Sequence, residues 1–438
     1  MSRGPRRWRR GAALIVMAAG VLVALAWALP WALNPRGDSN LAPAATAPPA
    51  TTEQIERGAY LARAGNCMNC HTARGGAPYA GGRGIDTPFG TIFSTNLTPD
   101  AKTGLGGWSP ADFWRALHHG RSKDGRLLYP AFPYPDFTLV TREDSDALFA
   151  WLKSLPPTAL GATPHRLRWP YNTQTALAVW RALYFEPGEF APDRERSAEW
   201  NRGAYLVRGL GHCAACHTPR DALGGPRKPL HLAGTPIPEQ NWVAPSLALP
   251  QAAGVTNDGN ARAFVQLMKT GMAPGAVALG PMAEVVQHST QHLSEADLGA
   301  MATYLQSLEQ PADPEPSPVT SATGTRRAAA GAKIYDDYCV KCHGKQGLGV
   351  PDAYPPLAGN RAVTMHDPTN LVQVVLKGGF PPATAGNPRP FGMPPYVLTL
   401  TNDEVAAVLT YIRGAWGNAA AQVTPLDVDR IRSAAAGG

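Results

Sequence analysis

One five-residue motif occurs three times and constrains everything else about this chain. The pattern Cys-x-x-Cys-His stands at residues 67–71, 213–217 and 339–343 and uses all six cysteines. Two thiols at this spacing can form thioethers with both vinyl groups of one porphyrin, and the adjacent imidazole can then ligate the iron. No cysteine remains for a disulfide or for a fourth thiolate of a zinc site. The motif therefore predicts three covalently bound haem c groups.

Each copy of the motif contributes the same residue types to its predicted haem. The expected thioether-forming residues are Cys67, Cys70, Cys213, Cys216, Cys339 and Cys342. The expected proximal iron ligands are His71, His217 and His343.

The length of 438 residues suits about three domains, with roughly 100 to 150 residues in each. The chain holds 45 glycines and 43 prolines, which favours short helices joined by long ordered loops. This composition suits small haem domains, because the porphyrin supplies much of their apolar core.

The net charge of +7 does not indicate a nucleic-acid-binding surface. Residues 1–50 contain six arginines and one aspartate, so five of the seven excess positive charges lie in this leader. The other 388 residues carry only +2, too little for a basic nucleic-acid-binding face. We therefore expect no nucleic-acid partner.

The amino terminus has the pattern of a membrane segment. Five arginines precede residues 11–33, which carry no charge and would span about 35 Å as a helix at ~1.5 Å per residue. A cleaved signal peptide is the alternative, since residues 26–28 form a small-x-small site. The apolar run is longer than a signal core, which favours an anchor. Both alternatives place the haem domains in the periplasm.

Each haem motif lies in a repeated helical unit. Residues 57–61 and 202–206 share the sequence Arg-Gly-Ala-Tyr-Leu, and Gly331 and Ala332 echo it before the third motif. Sequences typical of a capping box begin at Thr141, Ser294 and Thr401, and each opens a final amphipathic helix.

A middle helix is also shared by the three units. It is predicted to end at a glycine in each case, namely Gly120, Gly271 and Gly378.

The proline-rich stretches divide the chain. The predicted parts are an anchor or signal sequence at 1–33, a linker at 34–52, a first haem domain with its inter-domain connection at 53–197, a second haem domain at 198–310, a linker at 311–327 and a third haem domain at 328–430. Within the connection, residues 174–185 have helical periodicity and are expected to dock between domains.

Two methionines are candidates for the sixth iron position, which methionine often fills in electron carriers. Met393 lies between a glycine and two prolines, 50 residues after His343. Met282 follows Gly280 and Pro281, 65 residues after His217, and is expected in the corresponding loop.

The first unit breaks this pattern. Its equivalent position, 12 residues past Gly120, holds Phe132, which cannot ligate iron. His118 and His119 are alternative ligands, with Lys123 and His165 behind them, and a five-coordinate iron is the other alternative. A histidine pair at an exposed helix end, placed favourably in the helix dipole, explains His118 and His119 equally well.

Several longer segments resemble a known family. The matching segments are residues 87–91, 94–100, 280–286 and 411–418. With the three haem motifs, they make the chain similar to the triheme cytochrome c subunits of membrane-associated bacterial dehydrogenases, the group of the alcohol and gluconate dehydrogenase cytochrome subunits. The fold expected is all-α, with three tandem class I cytochrome c-like haem domains behind an N-terminal transmembrane segment.

The resemblance implies haem ligation by His71, His217, His343, Met282 and Met393. It also implies electron transfer from a periplasmic dehydrogenase of quinoprotein, flavoprotein or molybdenum type towards quinone, another cytochrome or a terminal oxidase. The expected location is the periplasmic side of the bacterial inner membrane. The family's Pro-Ala-Met-Pro-Tyr segment appears here as residues 130–134 with Phe132 in place of methionine.

Electron transfer is the leading functional interpretation, because the chain has no nucleotide-binding loop, flavin site or catalytic triad. The alternative is a haem enzyme in which the methionine-less first haem acts on a small molecule such as a sulfur oxyanion or peroxide.

Overall fold

The structure is a computed structural model that describes residues 50–248, 257–309 and 322–436, together with Met17, Gly20, Ala28, Ala32 and Asn34. The rest of the predicted anchor or signal segment, and most of both predicted linkers, lie outside the described residues. Among the residues that are described, no helix is both long enough and apolar enough to cross a bilayer.

The described chain forms three helical units joined in series. The first unit contains α1 (Thr52–Ala64), α2 (Cys67–Cys70), β1 (Gly84–Thr87), β2 (Gly90–Phe93), α3 (Pro110–His119), α4 (Tyr134–Phe137), α5 (Arg142–Ser154) and β3 (Arg166–Leu167). Helix α6 (Gln174–Tyr184) follows it, as the helical periodicity of the connection predicts.

The second unit repeats this order of helices. It contains α7 (Ala198–Tyr205), a π-helical turn (Leu206–Leu210), α8 (Ala214–His217), a 3-10 turn (Lys228–Leu230), β4 (Thr235–Ile237), β5 (Trp242–Ala244), α9 (Asn257–Thr270), β6 (Met272–Ala273), β7 (Ala276–Val277), α10 (Pro281–His288), a 3-10 turn (Thr290–His292) and α11 (Glu295–Gln306).

In the described part of the third unit there are isolated β-bridges but no strands, and the regular elements are helices. These are α12 (Ala322–Tyr338), α13 (Val340–His343), α14 (Arg361–Thr364), α15 (Thr369–Lys377), α16 (Asn402–Gly414) and α17 (Pro425–Ala436). Helix α12 begins six residues before the predicted start of the domain at 328, and α17 continues beyond its predicted end at 430.

The all-α prediction describes the core of each unit but misses short antiparallel strands at the edges. Strands β1 and β2 pair with Gly84 opposite Phe93, and β3 adds to β2. Strands β4 and β5 pair with Thr235 opposite Ala244, and β6 pairs with β7. These segments are two to four residues long, too short for the alternating pattern that reveals a strand in a sequence.

The first and last helices of every unit cross at a glycine. A Cβ added to this glycine would lie 1.9 to 2.0 Å from a carbonyl oxygen of the opposite helix. The three crossings are Gly58 on Ala147, Gly203 on Ala300 and Gly331 on Ala407. Only glycine permits this close backbone approach, so the crossing explains why the repeated sequence keeps glycine at this position.

The last helices differ from the prediction in their capping. All three N-cap hydroxyls accept a hydrogen bond from the backbone of the third helical residue. Only Thr401 and Glu404 complete a reciprocal capping box. The third helical residue is Asp144 in the first unit and Asp297 in the second. Each carboxylate accepts a hydrogen bond from an arginine rather than from the backbone of the N-cap residue. The prediction of three equivalent boxes was therefore wrong.

The units contact each other through specific side chains. Helix α6 docks between the first and second units as expected, since Tyr184 donates to Asp221 and Trp180 donates to the carbonyl of Leu223. The third unit attaches to the second, where the Asn370 amide both donates to and accepts from the backbone of Val243 at 2.7 and 2.8 Å.

Candidate haem sites

The three motif histidines share one hydrogen bond. In each, Nδ1 lies within hydrogen-bond distance of a backbone carbonyl oxygen: His71 of Thr95 at 2.7 Å, His217 of Pro245 at 2.7 Å and His343 of Pro355 at 3.0 Å. A carbonyl oxygen can only accept, so Nδ1 carries the proton and the Nε2 lone pair is available to a metal. This arrangement fits a proximal iron ligand in all three units.

The sequence did not reveal these carbonyl acceptors, although it carries a signal for them. Each acceptor stands two residues before a leucine that packs in the core of its own unit, namely Leu97, Leu247 and Leu357. The distance from the histidine to its acceptor varies between 12 and 28 residues, so spacing alone could not identify the pair.

Burial sets the protonation of the motif side chains. It lowers the pKa of His71, His217 and His343 below the ordinary value, although the carbonyl hydrogen bond opposes this shift, so the neutral imidazole that a metal requires is favoured. Burial also raises the pKa of the Cys67 and Cys213 thiols to about 12. A redox-active Cys-x-x-Cys pair has a lowered thiol pKa instead.

The first cysteine of each motif packs against the hydrophobic core of its unit. The motif itself forms a single turn of helix. Cys67 and Cys70 are the ends of α2, so their side chains lie one turn apart on the same side. Within the described residues, no group of three or more histidine, cysteine or acidic side chains could hold a metal ion. The raised thiol pKa of Cys67 and Cys213, together with an imidazole whose Nε2 is available in the same motif, therefore fits covalent haem better than a zinc or dithiol site.

Met393 and Met282 both pack against the core cluster that holds the first cysteine of their own unit, Cys339 and Cys213 respectively. Met393 lies outside any helix, as predicted, and its backbone pairs with Gly379 in both directions at 2.8 and 3.0 Å. The sequence predicts that Met282 lies in a loop, but in the structure Met282 is the second residue of α10. Pro281 explains this, because proline is favoured in the first turn of a helix.

Phe132 occupies the place in the first unit that Met282 holds in the second. After the middle helix, Leu127 pairs with Arg121 and Val277 pairs with Met272. Phe132 lies five residues after Leu127, and Met282 lies five residues after Val277. Phe132 packs against the cluster containing Cys67, so the aromatic ring fills the corresponding position.

His118 and His119 are both buried rather than exposed at the helix end. Burial lowers the pKa of both to about 4, so both imidazoles are neutral at pH 7. The His118 ring stacks on Trp114 with 4.2 Å between centroids. The His119 pKa is also lowered by neighbouring positive charges, first that of Arg181 of α6, whose guanidinium donates to the His119 carbonyl oxygen.

The structure also contains functional groups that the sequence did not reveal. Asp136 of α4, in the first unit, lies near the Cys213 and Cys216 thiols of the second, whose pKa its charge helps to raise after the larger effect of burial. Arg83 of the first unit donates to Asn69 of the motif helix and to Glu284 of α10 at 2.9 Å. The first two motif turns therefore each lie close to a helix of the other unit, the first to α10 and the second to α4.

Three helical units, each with a Cys-x-x-Cys-His turn whose imidazole is held by a carbonyl, define a multihaem c-type cytochrome. The cytochrome c family model matches residues 55–156, 201–309 and 328–416, so the chain belongs to the cytochrome c family. The three matches correspond to the three units of the fold.

Full-length relatives place the chain more narrowly. It is 39% identical over 412 residues to the cytochrome c subunit of alcohol dehydrogenase (quinone) from Gluconacetobacter polyoxogenes, covering 90% of this chain and 87% of the relative. It is 38% identical to the gluconate 2-dehydrogenase cytochrome c subunit of Pantoea cypripedii, covering 86% and 89%. The fructose dehydrogenase cytochrome subunit of Gluconobacter japonicus is 34% identical, with 86% and 82% covered. The resemblance to dehydrogenase cytochrome subunits is thereby confirmed.

Proposed function

We propose that this chain carries three haem c groups and passes electrons from a dehydrogenase to an acceptor. Each Cys-x-x-Cys pair would hold one haem through thioethers, and His71, His217 and His343 would be the proximal ligands. The observation that carries this proposal is the hydrogen bond from Nδ1 to a backbone carbonyl, which leaves Nε2 free in all three histidines.

When bound, haem c supplies one-electron chemistry, and the protein positions it and tunes its potential. The backbone carbonyls of Thr95, Pro245 and Pro355 orient the imidazoles and fix their tautomer. The core clusters around the first cysteine of each motif exclude water from that side of the site. Both features are those of an electron carrier rather than of a substrate-binding site.

Met282 and Met393 are our proposed distal ligands in the second and third units. Their shared packing with Cys213 and Cys339 supports this assignment. A thioether ligand raises the reduction potential, which favours acceptance of electrons from a dehydrogenase.

The first haem would have no methionine ligand, because Phe132 stands in its place. Its sixth ligand would be His118 or His119, both neutral and buried, or the iron would be five-coordinate. In each case its potential would be lower than those of the other two.

Near-infrared magnetic circular dichroism during a redox titration tests this arrangement. Two methionine-ligated haems and one haem of lower potential are expected. Three methionine signatures would contradict the role of Phe132, and fewer than three haems by mass spectrometry would contradict the haem count.

The partner is proposed to be a dehydrogenase, since the relatives are named as cytochrome subunits of alcohol, gluconate and fructose dehydrogenases. It could be of quinoprotein, flavoprotein or molybdenum type, with quinone, another cytochrome or an oxidase as acceptor. The haem enzyme alternative is not favoured, because these relatives are named as cytochrome subunits of dehydrogenases.

Membrane association on the periplasmic side is proposed from residues 11–33, which carry no charge and follow five arginines. Fractionation of cells that produce the full chain and a form lacking residues 1–49 tests this proposal. The full chain is expected in the membrane fraction and the shortened form, exported with a substitute signal peptide, in the soluble periplasm.

Co-purification with the native dehydrogenase, followed by substrate-driven haem reduction, tests the electron-transfer role. A matched variant with Cys213→Ala and Cys216→Ala removes one haem site and should lower the reducible haem by one third. A preparation whose haems are not reduced by any co-purified dehydrogenase and its substrate would contradict the role.

A further inference from the structure

Two equivalent sets of three side chains join the first unit to the second. In one set Arg57 and Asp144 belong to the first unit and Tyr205 to the second, and in the other Arg202 and Asp297 belong to the second unit and Tyr60 to the first. We refer to them as the two Arg–Asp–Tyr clusters. Each unit therefore supplies a carboxylate to the other unit's tyrosine.

In the first cluster the carboxylate and the tyrosine are buried, whereas the Arg57 side chain is 48% exposed. The Asp144 carboxylate is 2% exposed and accepts from Arg57 Nε at 2.7 Å and from Tyr205 Oη at 2.5 Å. The same Tyr205 oxygen accepts from the backbone N–H of Thr141 at 3.3 Å. The tyrosine of the second unit is thus held at the start of α5 by both a carboxylate and a helix N-cap.

The second cluster repeats this geometry. Arg202 Nε and Nη2 donate to the Asp297 carboxylate at 2.8 Å each, and Tyr60 Oη donates to it at 2.5 Å. The Tyr60 oxygen also accepts from the backbone N–H of Ser294 at 3.1 Å. Burial by itself would raise the pKa of Asp297, but the hydrogen bonds from Arg202 and Tyr60 outweigh it and hold the pKa below its ordinary value. The carboxylate is therefore charged at neutral pH.

The third unit lacks every member of this cluster. Ala330 and Lys333 stand where the other units have arginine and tyrosine, and Glu404 caps its own helix instead of binding across an interface. The clusters therefore specify the pairing of the first two units and exclude the third from it.

The arrangement is that of an isologous interface, in which residue i of one copy contacts residue j of the other and the reverse. Tyr60 lies on the helix that leads into Cys67, and Tyr205 on the helix that leads into Cys213. The turns before these cysteines also meet directly, since His212 Nε2 lies 3.2 Å from the carbonyl oxygen of Gly65. The clusters therefore act on the segments that carry the first two haem sites.

We propose that Tyr60 and Tyr205 are positioning residues that hold the first and second haem sites in one fixed geometry for electron exchange between them. This inference rests on the proposed haem-carrying function. Tyr205 Oη and Tyr60 Oη each donate to a carboxylate of the other unit. Each acts through the carboxylate of the other unit, so the two hydroxyls together set the relative orientation of the two sites.

The variants Tyr60→Phe, Tyr205→Phe and the double variant test the proposal in the full haem-loaded chain. Tyr304→Phe is the matched control, because it removes a hydroxyl from α11 while its ring packs on Trp200 within the same unit. A hydrogen bond to a charged carboxylate contributes roughly tenfold or more to an equilibrium constant, so the double variant should weaken docking by about 100-fold.

Hydrogen exchange reports this change at two defined amides, those of Thr141 and Ser294, which donate to the tyrosine oxygens. The single variants should each lose protection mainly at one amide, Thr141 for Tyr205→Phe and Ser294 for Tyr60→Phe. The double variant should lose protection at both and should also slow electron equilibration between the first and second haems. Equilibration between the second and third haems should remain unchanged, as should all rates in Tyr304→Phe.

Unchanged protection at both amides in the double variant would overturn the inference. So would lost protection with unaltered equilibration between the first two haems. Exchange at these amides can be measured whether or not haem is attached. A chain that shows the expected exchange but holds no haem would contradict the proposed function alone.

Discussion

Replacing Gly203 with alanine is expected to destabilise the second unit, even though alanine is the better helix former. Gly203 lies where α7 crosses α11, and its Cβ would stand 1.9 Å from the carbonyl oxygen of Ala300. Real Cβ atoms essentially never approach within 3.0 Å of such an atom, so the two helices must separate by about 1 Å.

The magnitude follows from two opposing effects. Alanine gains about 1 kcal/mol over glycine in a helix interior. Overpacking a close-packed site costs about 1–3 kcal/mol, and a clash between backbones lies at or above the upper end because neither atom can rotate away. Since the shift also moves the buried Leu298 and Leu305, we expect a net loss of about 2 kcal/mol.

Gly299→Ala is the matched control in the opposite helix. A Cβ on Gly299 meets only Glu199 Oε1, at 3.9 Å, so alanine should stabilise the unit by about 0.5–1 kcal/mol. Urea unfolding of the haem-loaded chain, followed by far-ultraviolet circular dichroism and haem absorbance, measures both. Equal shifts of the two midpoints in the same direction would refute the crossing argument.

Three further substitutions test other parts of the structure. Arg413 is 1% exposed and donates to the carbonyls of Ala421, Val363 and Met365, so Arg413→Met should cost about 3–5 kcal/mol in urea unfolding, and a loss below ~1 kcal/mol would contradict this. Burial raises the pKa of Asp136 to about 7, so its protonated form is favoured on folding. Its contribution should be complete below about pH 4 and be lost as the pH rises to 7, by up to ~1.4 kcal/mol per pH unit, and Asp136→Asn should flatten this slope in stability measurements. Met393→His should lower one haem potential, within the roughly 0.8 V range that axial ligands set, and an unchanged titration would exclude Met393 as a ligand.

The sequence by itself determined the haem-binding turns and the repeat. Cys-x-x-Cys-His is a local pattern, and its chemistry depends on residues one helical turn apart, so no tertiary contact is needed to recognise it. The glycines that end the middle helices were also predicted from the sequence, and Gly120, Gly271 and Gly378 all adopt positive φ. Phe132 was identified as the odd residue from its distance to Gly120, and the pairing of Leu127 with Arg121 places it where Met282 lies in the second unit.

The tertiary structure alone decided which partners these residues have. Thr95, Pro245 and Pro355 hold the three imidazoles through backbone carbonyls, which any residue type can supply, and their distances from the histidines vary too widely for spacing to identify them. The sequence predicts that Asp144 and Asp297 complete capping boxes. In the structure, an arginine and a tyrosine donate to each of these carboxylates. Tyr60 lies more than 230 residues from Asp297 in the chain, and only the packing of two units against each other joins them. Local spacing therefore revealed the chemistry, whereas non-local packing set the orientation of the sites that perform it.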